Sequence, residues 1–349
     1  MGENQPEPAG ALLVGSVPLS DPAEVFTTAS AILGRHLQRI PDGEIGVRTI
    51  WIAWQHKIFE NHPAFELEPP PPGQYAPLPR FRLRDEARGH DLVFPALGYA
   101  EAAKSSYGDF SRLKSDGVVP AFMRFQVSLP TPLAPVSQFV SHDDKASVEP
   151  AYEAAMVREL DEILGTVPHD QLAIQWDIAV EMGIWEDLGG AFFAPWFDEV
   201  KPAMVERIAR VSQPIPTAVE TGFHLCYGDF GHEHFMQPMD AGNLVEAANA
   251  ISAAVTRPIA WLHIPVPRDR DDDAYFAPLG NLTLHPETRL YLGLVHSTDG
   301  IEGTRRRIAA AERVVADFGV ATECGFGRRP PETIAPLMRI HAEVAAPLR

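Results

Sequence analysis

From about residue 11 onward, short apolar runs alternate with helix-length amphipathic stretches about eight times. That alternation restricts the possible folds more than any other feature of the chain. The apolar runs are ALLVGSV (11–17), a short run near 38–41, VVPAFMRFQVSL (118–129), QLAIQWDIAV (171–180), PTAVETGF (216–223), IAWLHI (259–264), LYLGLVH (290–296) and GVATEC (319–324). They are almost continuously apolar, as strands of a parallel sheet covered on both faces must be. Between them, Tyr152, Met156, Leu160, Ile163 and Leu164 recur at helical spacing, as do Ile301, Ile308, Val314, Val315 and Phe318. Ser20-Asp21-Pro22 opens the first helix with a capping side chain and a proline in the first turn. Residues 47–61, rich in aromatics, also read as helix.

This order and count predict an α/β fold, a single-domain (β/α)8 TIM barrel spanning 11–349 behind a flexible tail at 1–10. A doubly wound open sheet is the alternative, but no strand leads into a G-x-G-x-x-G phosphate loop. The four prolines Pro69–Pro72 interrupt the pattern and predict an exposed excursion near 67–80, either a plain loop or a flap over a site.

Charge narrows the function classes. Lys and Arg number 29 against 47 Asp and Glu, a net −18. Such a surface repels nucleic-acid phosphates and anionic lipid, so no nucleic-acid or membrane partner is expected. No apolar run approaches the roughly 18–20 residues that cross a bilayer. The polar, Pro-rich start MGENQPEPAG lacks the regions of a signal peptide, which predicts a cytoplasmic protein. Two cysteines make no disulfide framework, and a thiol in a reducing compartment is buried, catalytic or metal-binding. The acidic run Asp269–Asp273 lacks the glycine and closing Glu of a calcium loop and reads as a solvated loop.

The polar residues of the apolar runs collect at one end. Gly15-Ser16, Asp42-Gly43-Glu44, Asp177, His224 and Cys226, His263, His296-Ser297 and Cys324 all fall at or just past the C-terminal ends of predicted strands. In a closed barrel those ends converge on one face, where active sites are assembled from several strands. His224 and Cys226 stand two apart and so face one way on a strand. An imidazole and a thiol presented together are half of a tetrahedral zinc site, and Cys324 is the one other cysteine able to extend it. His232 and His234, in GHEHF, read as a surface loop at a helix start.

Six segments, in order, resemble the catalytic C-terminal barrel of cobalamin-independent methionine synthase and its single-barrel relatives in the methionine synthase/uroporphyrinogen decarboxylase-like superfamily. They are VGSVP, PDGEIGVRT, IQWDIAVE, HLCYGDF, GLVHST and ATECGFGRR, covering residues 13 to about 340, with the His-x-Cys segment the most specific. The resemblance implies a zinc-dependent methyltransferase that holds a substrate thiol as thiolate for methyl or alkyl transfer. It implies that His224, Cys226 and Cys324 bind Zn2+, that Gly15, Ser16 and Glu44 line an amino-acid-like thiol site together with a catalytic Asp177, and that His296 is the general acid. The partners implied are a small-molecule thiol acceptor and a methyl donor such as a methyl-folate.

Three departures from the family stand out. Strand IAWLHI carries no Glu for the fourth ligand, and His263 is the nearest replacement, either as a ligand or as a plain strand histidine. The usual Asp-Glu-Pro is here Asp177-Ile178-Ala179, with Glu181 or Glu186 able to compensate. The N-terminal barrel of full-length synthases is absent from this chain. Donor and acceptor therefore stay open, and so do the alternatives: a coenzyme M-type alkyltransferase, a decarboxylase-like relative needing fewer cysteines, or a non-catalytic small-molecule-binding barrel whose two cysteines do not meet.

Overall fold

The computed structural model describes residues 8–69, 78–229 and 233–348. Its strands are β1 (Ala11–Leu12), β2 (Arg39–Pro41), β3 (Phe65–Leu67), β4 (Phe81–Leu83), β5 (Arg124–Pro130), β6 (Leu172–Ile178), β7 (Glu220–Leu225), β8 (Trp261–Pro265), β9 (Arg289–Val295) and β10 (Gly319–Thr322). Eight of them form one parallel sheet in the order β1-β10-β9-β8-β7-β6-β5-β2. The two ends meet just past β1 and β2, where Ser16 bridges Gly43 and the Val17 N–H donates to the Gly43 carbonyl at 2.9 Å. The sheet is thus a (β/α)8 TIM barrel, as the alternation predicts.

Side chains on the inner face fall into layers because residues i and i+2 share a face. In one layer, neighbouring strands place Ser128, Gln175, Gly222 and Trp261 in register. One level higher stand Asp177, His224 and His263. Leu12, Val14, Ala173, Trp261, Tyr291 and Ala321 form a small apolar cluster inside the barrel, separate from the large core between sheet and helices. Gln175 Nε2 donates to the Val14 carbonyl at 2.6 Å, and at the floor Arg39 pairs with Glu220 at 2.7 Å while lying over the Trp261 ring. These contacts satisfy the Gln175 amide and the Arg39 guanidinium in the interior.

Local departures have local causes. Residues 47–61 are not one helix but two 3-10 turns, Gly46–Ile50 and Ala53–Gln55, followed by a short α-helix at His56–Glu60. The run is broken where Gly46 and Trp51 take positive φ angles of 72° and 34°. The excursion at 67–80 is flanked by an antiparallel hairpin of β3 and β4, which sequence periodicity missed. Its tip, residues 70–77 with Tyr75, lies outside the described residues, so the flap reading does too. Of the expected tail at 1–10, residues 1–7 lie outside the described residues. Ala9 and Gly10 donate to the Phe318 and Ala346 carbonyls at 3.0 and 2.8 Å, which ties this end under the barrel. Asp269–Asp273 is a solvated loop whose acids pair with Arg270, Arg306 and Arg313.

Candidate metal centre at the barrel mouth

Strand β7 carries His224 inward, and the Cys226 N–H then donates to the Ile178 carbonyl at 3.1 Å, keeping the chain extended past the strand end. Cys324 follows β10 from across the barrel. Ligand atoms of His224, Cys226 and Cys324 all lie within 4.8 Å of one another, the one such trio of His, Cys, Asp or Glu side chains among the described residues. The two Sγ atoms are 3.5 Å apart. A tetrahedral zinc with Zn–S bonds of about 2.3 Å holds its sulfurs about 3.8 Å apart, so a small relaxation accommodates the ion. The Nε2 of His224 is buried and has no hydrogen-bond partner. An orphaned buried lone pair beside two thiols is the arrangement a metal ion satisfies. The Gly228 N–H also donates to Cys226 Sγ at 3.2 Å. Contact with Cys226 and burial push the Cys324 thiol well above the ordinary thiol range.

His263, fully buried on β8, faces His224 directly, with 2.7 Å between the two Nδ1 atoms. Its Nε2 lies 3.0 Å from the Thr322 carbonyl. Both of its ring nitrogens are therefore engaged, and His263 is not among the side chains whose ligand atoms lie within 4.8 Å of one another. As a fourth ligand, the role considered from sequence, His263 does not join the cluster in this arrangement.

Beside the trio is a group of buried carboxyls. Asp177 accepts from Gln175 Nε2 at 2.9 Å, and the Trp51 side chain adds a further hydrogen bond. Glu44 borders Gly15, where a Cβ would lie only 3.4 Å from a Glu44 oxygen and from Ser128 Oγ. Burial first, then the Asp177 charge, pushes Glu44 above the usual carboxylate range, and burial does the same for Asp177. Glu44 holds φ at 52° and Trp51 at 34°, so two of the four positive-φ non-glycine residues among the described residues sit at this site. Ser16 Oγ accepts from the Gly327 N–H at 3.0 Å, tying the first loop to the last.

Of the two acids considered as compensation for the missing neighbour of Asp177, Glu181 is at the mouth. Glu186 is turned away to Tyr227 and Asn243. Glu181 is 2 % exposed, one oxygen accepts from Thr131 Oγ1, and the other has no partner. Burial pushes its pKa from 4.5 up to about 7. Between those two values the unfolded chain has released a proton that the folded chain retains, so stability falls as pH rises. Glu181→Gln should therefore raise the melting temperature at about pH 8 and leave it nearly unchanged at about pH 4. Equal shifts at the two pH values in thermal melts would show that Glu181 is not held protonated.

His296, at the end of β9, places Nε2 2.9 Å from the Val266 carbonyl and Nδ1 3.6 Å from Glu323. Since the carbonyl can only accept, the proton sits on Nε2 and the Nδ1 lone pair faces the carboxyl. Burial holds His296 down to about 3 and pushes Glu323 up to about 7. Glu323 also meets His234 Nε2 at 3.2 Å. This corrects the surface reading of His234, whose side chain is 1 % exposed. Its companion His232 lies outside the described residues. Glu323 was missed in the sequence although it stands immediately before Cys324. One acid in an apolar strand end was the only signal.

No family model matches the chain, and no curated protein matches it in sequence. Solved structures do. One is a protein from Listeria monocytogenes provisionally assigned as a vitamin-B12 independent methionine synthase, with TM-score 0.57 and 13% identity over 98% of this chain and 99% of that one. Another is a methyltransferase from Methanosarcina mazei, with TM-score 0.52 and 12% identity over 98% of this chain and 95% of that one. At such identity the likeness is one of fold, end to end.

Proposed function

We propose that the chain is a zinc-dependent methyltransferase of the methionine-synthase-like class, acting on a small thiol. The observation that carries this reading is the trio His224, Cys226 and Cys324 at the C-terminal mouth of the barrel, with a partnerless buried Nε2. The sulfur separation of 3.5 Å is the opposite of what a barrel with unrelated cysteines requires. The whole-length likeness to proteins called methionine synthase and methyltransferase agrees with it.

His224, Cys226 and Cys324 would hold the ion. When bound there, zinc lowers the pKa of a coordinated substrate thiol, so the nucleophile is populated near neutral pH. The chain's own residues do the rest. Asp177, Glu44 and Glu181 are three buried acids, and the one cation acting on Glu44, Arg48, is itself paired with Asp42, a setting that favours a substrate ammonium arriving to take their charge. The main chain at Gly15 leaves room beside Glu44 that any side chain would fill. Methyl transfer leaves an amine-like nitrogen that departs poorly unless protonated. The His296–Glu323 pair can carry one proton near neutrality and deliver it.

Elemental analysis of protein purified without chelator tests the reading, with about one zinc per chain expected. Methyl transfer from methyl-folates to homocysteine and other small thiols then tests the reaction. Protein that holds no zinc even after reconstitution would rule the reading out. His296→Gln should lower kcat by about 10²–10⁴-fold with zinc content unchanged, and loss of zinc in that variant would move His296 from acid to metal support.

A further inference from the structure

We infer that His263 is a positioning residue for the metal centre, setting the tautomer and ring orientation of His224 so that three protein ligands face the ion and the fourth position is left to substrate. The inference rests on the metal reading of this site.

The argument is one of donors and acceptors. The Thr322 carbonyl can only accept, so the His263 nitrogen 3.0 Å from it carries a proton. A ring 0 % exposed with no carboxylate against it is neutral and carries one proton, and although the Leu225 carbonyl also borders the ring, the 3.0 Å hydrogen bond to Thr322 holds that proton on Nε2, so Nδ1 carries none. That nitrogen lies 2.7 Å from Nδ1 of His224, and a contact this short between two nitrogens needs one proton between them. The proton therefore belongs to His224 Nδ1. Neutral His224 then has a bare Nε2, which is the atom with no partner, on the ring whose ligand atom lies within 4.8 Å of the two sulfurs. Reversing the shared bond would demand a doubly protonated His263 in an apolar barrel, and would put the His224 hydrogen where the ion belongs. Metal-bound histidines commonly give their second N–H to a carboxylate, a carbonyl or water. Here a second imidazole, itself anchored on the strand that leads to Cys324, takes that place. His224, His263 and Thr322 thus tie three strands into one chain of hydrogen bonds ending at the ion.

The consequence for coordination follows. With His263 used behind His224, the described residues supply two thiolates and one neutral imidazole, a set whose charge cancels that of Zn2+. A neutral, three-ligand site with an open position suits catalysis rather than structure.

Two measurements test this. Metal-free wild type labelled with 15N-histidine, studied by long-range 15N–1H correlation near neutral pH, should show His224 protonated at Nδ1 and His263 at Nε2, the signals being assigned with His224→Gln and His263→Asn. His224 protonated at Nε2, or His263 doubly protonated, would overturn the inference. Cobalt(II) titrations in competition with a chelator provide the second. His263→Asn keeps an acceptor near the place of Nδ1 and should bind cobalt within a few-fold of wild type, whereas His263→Phe should lose about 10–100-fold. Equal losses in both variants, or no loss in either, would overturn the role. Should His263→Phe fail to fold, the tautomer pattern decides. A wild type that binds no cobalt would instead reject the metal centre itself, a failure the tautomer measurement does not share.

Discussion

Cys226→Ser and Cys324→Ser are each expected to lose essentially all bound zinc, from about one ion per chain to background, and methyl transfer with it. A serine hydroxyl is close in shape but does not ionise near neutral pH, so each change removes a full negative charge from the ligand set. Two remaining ligands chelate weakly. The two sulfurs stand at strand ends rather than within the helix–sheet core, so circular dichroism should stay that of wild type. Elemental analysis of the three proteins, prepared side by side, is the decisive comparison. Zinc retained in both variants would place the metal elsewhere. Zinc lost in only one would mean that the sulfurs, 3.5 Å apart, do not share it.

The second large effect is on stability. Gly222→Ala should destabilise the fold by about 3 kcal/mol or more, although it adds a single methyl group. A Cβ at Gly222 would lie 2.0 and 2.1 Å from two ring atoms of Trp261 on the neighbouring strand. The indole cannot easily yield. It is fully buried, Arg39 lies over its face at 4.0 Å, and its Nε1 donates to Gln175 at 3.3 Å. The barrel interior is close-packed, so the strain passes to the layer of Asp177, His224 and His263 directly above. Urea midpoints measure the effect, and the coupling to Trp261→Leu tests its cause. A smaller indole replacement should recover part of the loss in the double variant, with an interaction energy of about 0.5–3 kcal/mol. Strict additivity would mean that the clash is not with Trp261.

Much of the site was legible because a barrel gathers strand ends. His224 and Cys226 could be paired from their spacing alone, since alternation on a strand is a property of the backbone. That Cys324 meets them follows from closure of the sheet, and the closure follows from counting apolar runs. His263 shows where such reading ends. Its position on β8 and its inward direction could be seen in the sequence, but not that its two nitrogens would meet His224 on one side and Thr322 on the other. That outcome depends on the stagger between β7, β8 and β10, which no local pattern encodes. Glu323 and His234 were missed or misread for a related reason. They come from the ends of different loops, and their contact exists only once both loops fold over the mouth. The run at 47–61 failed differently. Its apolar spacing suits a helix, yet the chain there must turn so that Trp51 reaches Asp177, and tertiary packing overrode local preference.

The sequence by itself determined the architecture, the end of the barrel where polar chemistry collects, and the residue types offered for metal and proton work. These depend on periodicity and on the sign of burial, which are written locally along the chain. Only the tertiary structure decided which histidine joins the two sulfurs, which nitrogen is left without a partner, and which acids share the buried mouth. Those are matters of tenths of an ångström and of desolvation, and both arise only when strands far apart in sequence are held side by side.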